Sequence, residues 1–290
     1  LGDVYKRQEY IFARRFDEIL APINWNITQS SLYNAIWISR KFANMYLCQN
    51  GLPITYGGKT NPQFKGYMKI DDEFQDRDNR MRYTMMRPHD NFWNNQKPRT
   101  SWDGKDKNPY ISNFVPKTGT GYHNQKWATE RKVEDKKEGY DFPIIRYAEV
   151  LLNYAEAMNE YLSSPSQDVY DAIIALRARA GIESGNDESP YGLKKNMTQA
   201  EMREVIQNER RIEMAFEEQR YWDIRRWRIA EEIFKNPLEG LEIRVKGNTT
   251  SFNEVDVLST TFDVKRYLYP IPYNEVVKNC LLYTSPSPRD

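Results

Sequence analysis

The chain has 290 residues, 39% of them hydrophobic and 29% charged, with a formal net charge of +1 and a mean hydropathy of −0.83. A chain this polar has no apolar run long enough to span a bilayer as a helix, and the even charge balance offers no basic face for nucleic acid or an anionic membrane. Its 13% aromatic content, with 20 Tyr and 7 Trp, exceeds what a core requires and points toward a binding face.

The two ends read as foreign. Residues 1–8, LGDVYKRQ, and residues 280–290, CLLYTSPSPRD, match translated transposase-type sequencing adapter, forward at one end and reverse-complemented at the other. Such scars are set aside before fold reasoning, which places the natural region at residues 9–279 and predicts that it is a piece of a longer protein. Setting the scars aside leaves 39 basic and 39 acidic residues. Cys48 is then the one cysteine, which excludes a disulfide framework and a cysteine zinc cluster.

Residues 9–16, EYIFARRF, alternate as a short strand or irregular edge. Residues 31–48 read as a helix with Leu32, Ile36, Ser39, Ala43 and Leu47 on one side, stopped by Asn50, Gly51 and Pro53. A second short helix is expected near Asp71. From 82 to 141 the texture changes. Pro88, Pro98, Pro109 and Pro116 break regular runs, and Gly104, Gly119 and Gly121 mark turns. The stretch still carries Tyr83, Phe92, Trp93, Trp102, Tyr110, Phe114, Tyr122 and Trp127, too many aromatics for a disordered linker. A long irregular segment of this kind in a compact domain is usually functional.

Helices dominate residues 142–235. One is expected to open at Pro143 and run to about Leu162, with Ile144, Ala148, Leu151, Leu152, Ala155 and Met158 on one stripe. Ser163, Ser164 and Pro165 end it, and residues 167–180 form its partner, stopped by Gly181. Together they read as a helical hairpin of the tetratricopeptide kind. After a Gly/Pro/Asp loop, Thr198 caps the next helix, and Glu201 completes a capping box. That helix is expected to yield near Glu218 to another over 220–235. Met202, Val205, Ile206, Glu209, Ile212 and Phe216 share its apolar face, where an isolated Glu209 carboxylate would be costly. Arg210, Arg211 and Arg220 are its candidate partners by proximity. With Asp223 they are expected to form a partly buried ion network joining two helices. The competing uses, a catalytic carboxylate pair or an arginine clamp for an anion, find no other active-site parts nearby. Residues 267–272, YLYPIP, are proline-locked and expected to pack on the helices.

Enzyme and metal motifs fail on particular residues. Gly58, Lys59 and Thr60 resemble the end of a phosphate-binding loop, but Pro53 stands where its first glycine belongs. His89 and His123 lack partners at metal-ligand spacing. The acidic run Asp71, Asp72, Glu73, Asp76 and Asp78 departs from a calcium loop at Arg80 and Met81, and the interleaved Arg77, Arg80 and Arg82 favour local salt pairing. No metal or cofactor is expected. Two facing carboxylates for glycoside hydrolysis stay open as an alternative. The aromatic segment is the strongest positive lead. Trp93 sits among Asn91, Asn94, Asn95 and Gln96, and Trp102 beside Asp103 and Lys105, with Tyr110 and Trp127 further on. Flat rings suit the C–H faces of sugars and the amides suit their hydroxyls. The alternative use of these rings is a satellite core under the loop.

Several stretches resemble the C-terminal region of the SusD/RagB family, surface glycan-binding lipoproteins of Bacteroidetes. They are FPIIRYAEVLLNYAEA (142–157), LRARAGI (176–182), ERRIEMAFEEQRYWDIRRW (209–227) and YLYPIP (267–272), with GLPI (51–54) and DRDNRM (76–81) as earlier landmarks. Glu218 stands where the family often has glycine. The resemblance implies a mainly α, SusD-like helical fold with tetratricopeptide-like helix pairs and long irregular ligand-face loops. It implies a non-enzymatic protein that binds oligosaccharide, or peptide in some members, at the extracellular face of the outer membrane. A lipid anchor outside this sequence would hold it there, and a TonB-dependent, SusC-like transporter would receive the ligand. The family's ligand aromatics are poorly fixed in sequence. Ligand binding by Trp93, Trp102, Tyr110, Trp127, Asn91 and Asn94 is therefore an expectation from the composition of the loop.

Overall fold

The computed structural model of the chain describes residues 9–17, 19–20, 36–68, 71–87, 120–122, 124–127, 139, 141–246 and 249–278. In chain order the elements are β1 (Tyr10–Arg14), α1 (Arg40–Met45), β2 (Thr55–Tyr56), β3 (Lys59–Thr60), α2 (Asn79–Thr84), β4 (Phe142–Arg146), α3 (Tyr147–Tyr161) and α4 (Gln167–Arg179). There follow β5 (Gly185–Asn186), β6 (Ser189–Pro190), α5 (Gln199–Glu213), α6 (Gln219–Arg226), α7 (Ala230–Phe234), β7 (Leu238–Lys246), β8 (Thr249–Leu258) and α8 (Tyr273–Lys278). The strands form two-stranded antiparallel ladders, β1 with β4, β2 with β3, β5 with β6 and β7 with β8. The helices therefore carry the fold.

The apolar stripes meet in two clusters. Ala148, Leu152 and Ala155 of α3 pack against Val169, Ala172, Ile173 and Leu176 of α4 and against Met202 and Ile206 of α5. A short turn after Leu162 folds α4 back on α3. Asn159 Nδ2 donates to the Gln199 carbonyl at 3.0 Å and Gln199 Nε2 donates to the Asn159 carbonyl at 2.9 Å, so α5 starts where α3 ends and runs antiparallel to it. Thr198 and Glu201 form the expected capping box. The second cluster joins Ile38, Ala43, Tyr46, Phe74, Met81, Met85 and Tyr122 to Ile212 of α5 and Leu241 of β7. Gly51 and Gly192 (φ 76° and 74°) bring two loops into backbone contact, and a Cβ on Gly51 would lie 2.2 Å from the Tyr191 carbonyl oxygen. Only glycine allows that approach.

Several elements differ from the sequence expectations. The helix expected over 31–48 is confined to α1 among the described residues. The Ser39 hydroxyl caps it by accepting from the Phe42 N–H at 3.2 Å, and residues 36–39 are not helical. Arg77 then caps its far end, donating to the carbonyls of Ala43 at 3.0 Å and Tyr46 at 2.8 Å. Pro143 opens no helix: residues 142–146 pair with β1, α3 begins at Tyr147, and Ile144 is 48% exposed. The helix expected over 220–235 is divided into α6 and α7. Phe216 lies past the end of α5 with φ 58° and is half-exposed, not on the apolar face of the helix. The β7–β8 hairpin was not anticipated, although its alternating LEIRVK and SFNEVDVL stretches carry the signal. Residues 268–271 are largely exposed and reach α6 through Tyr269, whose hydroxyl donates to that of Tyr221 at 2.6 Å.

The buried charges organise the scaffold. Glu209 is fully buried, its oxygens held by Arg80 at 2.6 Å and Arg177 at 2.9 Å. One turn on, Glu213 meets Arg80 at 2.9 Å, Arg146 at 2.6 Å and Arg179 at 2.5 Å. Arg210 grips both oxygens of Asp223 at 3.0 and 2.8 Å, fastening α5 to α6. The partners of Glu209 thus come from α2 and α4, not from Arg210, Arg211 or Arg220. Neighbouring residues on a helix point in different directions and cannot turn back on one another. Arg211 and Arg220 make no ion pair among the described residues. Burial pushes the Glu209 and Glu213 carboxyls up, but the facing arginines outweigh it and hold both below the ordinary value of 4.5.

Glu209→Ala is expected to cost about 3 kcal/mol in urea unfolding, because it leaves Arg177 buried beside no carboxylate and takes from Arg80 one of its three; wild-type stability would contradict the buried network. Both carboxyls have a lower pKa folded than unfolded, so their stabilisation is complete above pH 4.5 and is lost as pH falls below it. Acid titration of Glu209→Gln should therefore show a shallower loss of stability below pH 4.5 than wild type.

Candidate functional site

Of the residues expected to bind ligand, Asn91, Trp93, Asn94, Trp102 and Tyr110 lie outside the described residues, as do His89 and His123. The structure describes the base of the aromatic segment, where its two ends meet the scaffold. The Gln125 N–H donates to the Thr84 carbonyl at 2.7 Å, and Met85 and Asn124 form an antiparallel bridge. Ile38 N–H donates to the Tyr122 carbonyl at 3.2 Å and Leu241 N–H to the Thr120 carbonyl at 2.8 Å. Gly240 lies against Thr120, where a Cβ would come 2.7 Å from Thr120 Cα.

Tyr122 locks this stem. Its side chain is buried, and its hydroxyl accepts from Arg40 Nη1 at 2.7 Å while donating to Glu73 Oε2 at 2.9 Å. Burial and then the Glu73 charge push the hydroxyl's pKa far up, so it stays a neutral donor. Arg40 continues to Glu254 of β8 at 2.8 Å and stacks over the Tyr67 ring at 4.1 Å. The acidic run is likewise engaged locally, with Asp78 on Arg80 at 2.6 Å and Asp76 on Lys65 at 3.0 Å. Among the described residues no group of three or more His, Cys, Asp or Glu is placed to hold a metal ion.

Trp127 ends the stem in a left-handed conformation (φ 69°). Its indole N–H donates to the Phe216 carbonyl at 2.8 Å and its ring packs 5.6 Å from Phe142. The neighbouring Lys126 Nζ bonds Glu217 at 2.6 Å, which also takes Arg146 at 2.6 Å. The carbonyl at Phe216 is available because α5 has ended and α6 has not begun. Trp127, one of the residues expected to bind ligand, thus has its polar edge and one side of its ring on the scaffold.

A second aromatic surface was absorbed into the fold signature by sequence reasoning. Tyr221, Trp222 and Tyr269 are 44%, 54% and 60% exposed. Tyr221 and Trp222 pack edge-to-face at 5.1 Å, Tyr269 lies 6.0 Å from Trp222, and Arg225 covers the Tyr221 ring at 3.7 Å. The available signal was an adjacent Tyr-Trp pair at the start of an otherwise charged helix.

A model of the SusD family matches residues 9–287. The SusD-like protein P2 of Formosa agariphila is 38% identical over 136 residues, which cover 47% of this chain and 23% of that protein. A SusD-like carbohydrate binding protein from Bacteroides fragilis superposes with a TM-score of 0.60 at 26% identity, covering 92% of this chain and 53% of that one. A further SusD-like protein from the same species gives a TM-score of 0.63 at 23% identity, covering 93% and 52%, a likeness of fold. The chain spans about half the length of these solved structures.

Tyr122→Phe removes the hydroxyl between buried Arg40 and Glu73 and is expected to cost about 2 kcal/mol in urea unfolding. Cleavage within residues 88–119 by a dilute protease should accelerate in step. An unchanged cleavage rate would mean that Tyr122 does not hold the stem.

Proposed function

The chain belongs to the SusD family, and we propose that it is a non-enzymatic protein that captures oligosaccharide through the aromatic segment at residues 82–141. The observation that carries this reading is the stem. Main-chain hydrogen bonds and the Arg40–Tyr122–Glu73 bridge fasten both ends of an aromatic segment to a scaffold whose buried carboxylates Glu209, Glu213 and Asp223 are paired with arginines. In this reading Trp93, Trp102 and Tyr110 stack on sugar rings, Asn91 and Asn94 meet hydroxyls, and Trp127 fixes the edge. A solved relative at 26% identity named as a carbohydrate binding protein supports a glycan over a peptide. Delivery to a TonB-dependent, SusC-like transporter, lipid attachment at the extracellular face of the outer membrane and a tetratricopeptide-like role for the α3–α4 hairpin belong to the same proposal. Among the described residues no helix is long and apolar enough to cross a membrane.

A glycosidase would need a protonated carboxyl facing a second carboxylate across the sugar. Glu209, Glu213, Glu217 and Asp78 are each held by arginine. Glu73, whose pKa burial raises, lies beneath Tyr122 and 3% exposed. These arrangements favour binding over hydrolysis.

Calorimetric titration against a panel of neutral and acidic oligosaccharides and short peptides, with chromatography of the recovered ligand, tests the proposal. An oligosaccharide should bind and be recovered intact, and Trp93→Ala or Trp102→Ala should weaken it by about fivefold or more. Cleaved products would sink the binding reading, and full affinity in both folded variants would place the site elsewhere.

A further inference from the structure

The buried carboxylates of this scaffold are not held alike. Glu209 and Glu213 lie 2.5–2.9 Å from two and three arginines, and Asp223 lies 2.8 and 2.9 Å from Arg210 and Arg226. Glu73, in the short 3-10 turn Asp72–Phe74, is just as deeply buried. Its ion pair with Arg40 nevertheless spans 3.8 Å, outside hydrogen-bond reach. The hydrogen bond at its carboxylate comes from the neutral hydroxyl of Tyr122, at 2.9 Å. The cations around it are committed elsewhere. Arg40 gives Nε to Glu254 of β8 at 2.8 Å and Nη1 to the Tyr122 oxygen at 2.7 Å, with its guanidinium over the Tyr67 ring. Arg77 gives its guanidinium to main-chain carbonyls, those of Glu73 at 2.9 Å, Ala43 at 3.0 Å and Tyr46 at 2.8 Å. Burial therefore outweighs Arg40, the Tyr122 hydroxyl and Arg77, and holds the Glu73 carboxyl above its ordinary value of 4.5. Glu209 and Glu213 stand on the other side of that value.

We propose that Glu73 is a proton-operated latch beneath the stem of the aromatic segment, closing it more firmly when its carboxyl is protonated than when it is ionised. An ionised carboxylate in this place is short of counter-charge and is better solvated when residues 120–122 lift away. The protonated group has no charge to solvate, and its carbonyl oxygen still accepts from the Tyr122 hydroxyl. Arg40 is not stranded by the change, because Glu254 remains on its Nε. The effect is felt along the stem, since the Tyr122 carbonyl takes the Ile38 N–H and the Thr120 carbonyl takes that of Leu241. The folded carboxyl binds its proton more tightly than the unfolded one. Its contribution to closure therefore grows as pH falls towards 4.5 and is complete below it. The Glu209 and Glu213 pairs lose theirs only below 4.5. Above that pH the stem can tighten over an intact lattice. The latch does not depend on what the segment binds.

Amide hydrogen exchange, read by NMR on the full chain as wild type and Glu73→Gln between about pH 5 and 8, tests the latch. Rates are corrected for the intrinsic pH dependence of exchange. In wild type, protection of the Ile38 and Leu241 amides should rise as pH falls. The rise should reach up to about tenfold for every pH unit between the folded midpoint of Glu73 and 4.5. Glu73→Gln mimics the protonated carboxyl and should hold both amides at the acid level throughout. Carbon NMR of the Glu73 carboxyl in wild type gives the midpoint directly, and decides the matter even where the variant does not fold. The proposal is overturned if that midpoint lies at or below 4.5, if wild-type protection of the two amides does not change with pH, or if folded Glu73→Gln keeps the wild-type dependence.

Discussion

Two carboxylates buried on one helix, Glu209 and Glu213, decide where much of the chain must go. Withdrawing a carboxylate from water costs several kcal/mol unless arginines meet it in good geometry, which is as much as burying a large apolar side chain contributes. The arginines that do so arrive from α2, β4 and α4, so α5 can occupy its place only when those segments are in theirs. The apolar clusters supply the bulk of the burial, but the hydrophobic effect has no direction. The charged pairs supply register. Glu217 extends the same logic past the end of α5, where Arg146 and Lys126 share it and bring the end of the aromatic segment down onto the helix break.

Much of this could be read from the residues, in a way that depended on how local the physics was. The capping box at Thr198, the stop at Gly181 and the α3–α4 hairpin follow from short-range rules and stand as expected. That Glu209 would be buried and paired followed from its place on an apolar stripe. Its partners did not, because a helix turns residues 210 and 211 away from 209 and the arginines that fit are separated from it by long stretches of chain. Pro143 misled for a related reason. A proline favours the first turn of a helix, yet here β1 pairs with its flanking residues and takes that stretch as a strand. The β7–β8 hairpin is legible in the alternation of its two strands.

The site is less legible than the scaffold. Composition marks Trp93, Trp102 and Tyr110 as unusual in an irregular stretch, and nothing in their spacing says which faces are open. Trp127 belonged to the same composition and turned out to be held by its indole N–H at the Phe216 carbonyl. A ring counted in sequence is not yet a ring offered to a ligand. The converse holds for Tyr221, Trp222 and Tyr269, which sit in a stretch that reads as structural and present their rings to solvent.

The stem at Thr84, Met85, Asn124 and Gln125 also separates the length of the segment it closes from the stability of what lies beneath. The entropy of closing a loop grows only with the logarithm of its length, about 0.6 kcal/mol for each doubling. A segment that leaves and re-enters through a sealed neck can therefore be lengthened, shortened or exchanged while the arginine lattice under α5 stays as it is. Descendants of one such scaffold could trade what lies between residues 88 and 119 with folding insulated from the change.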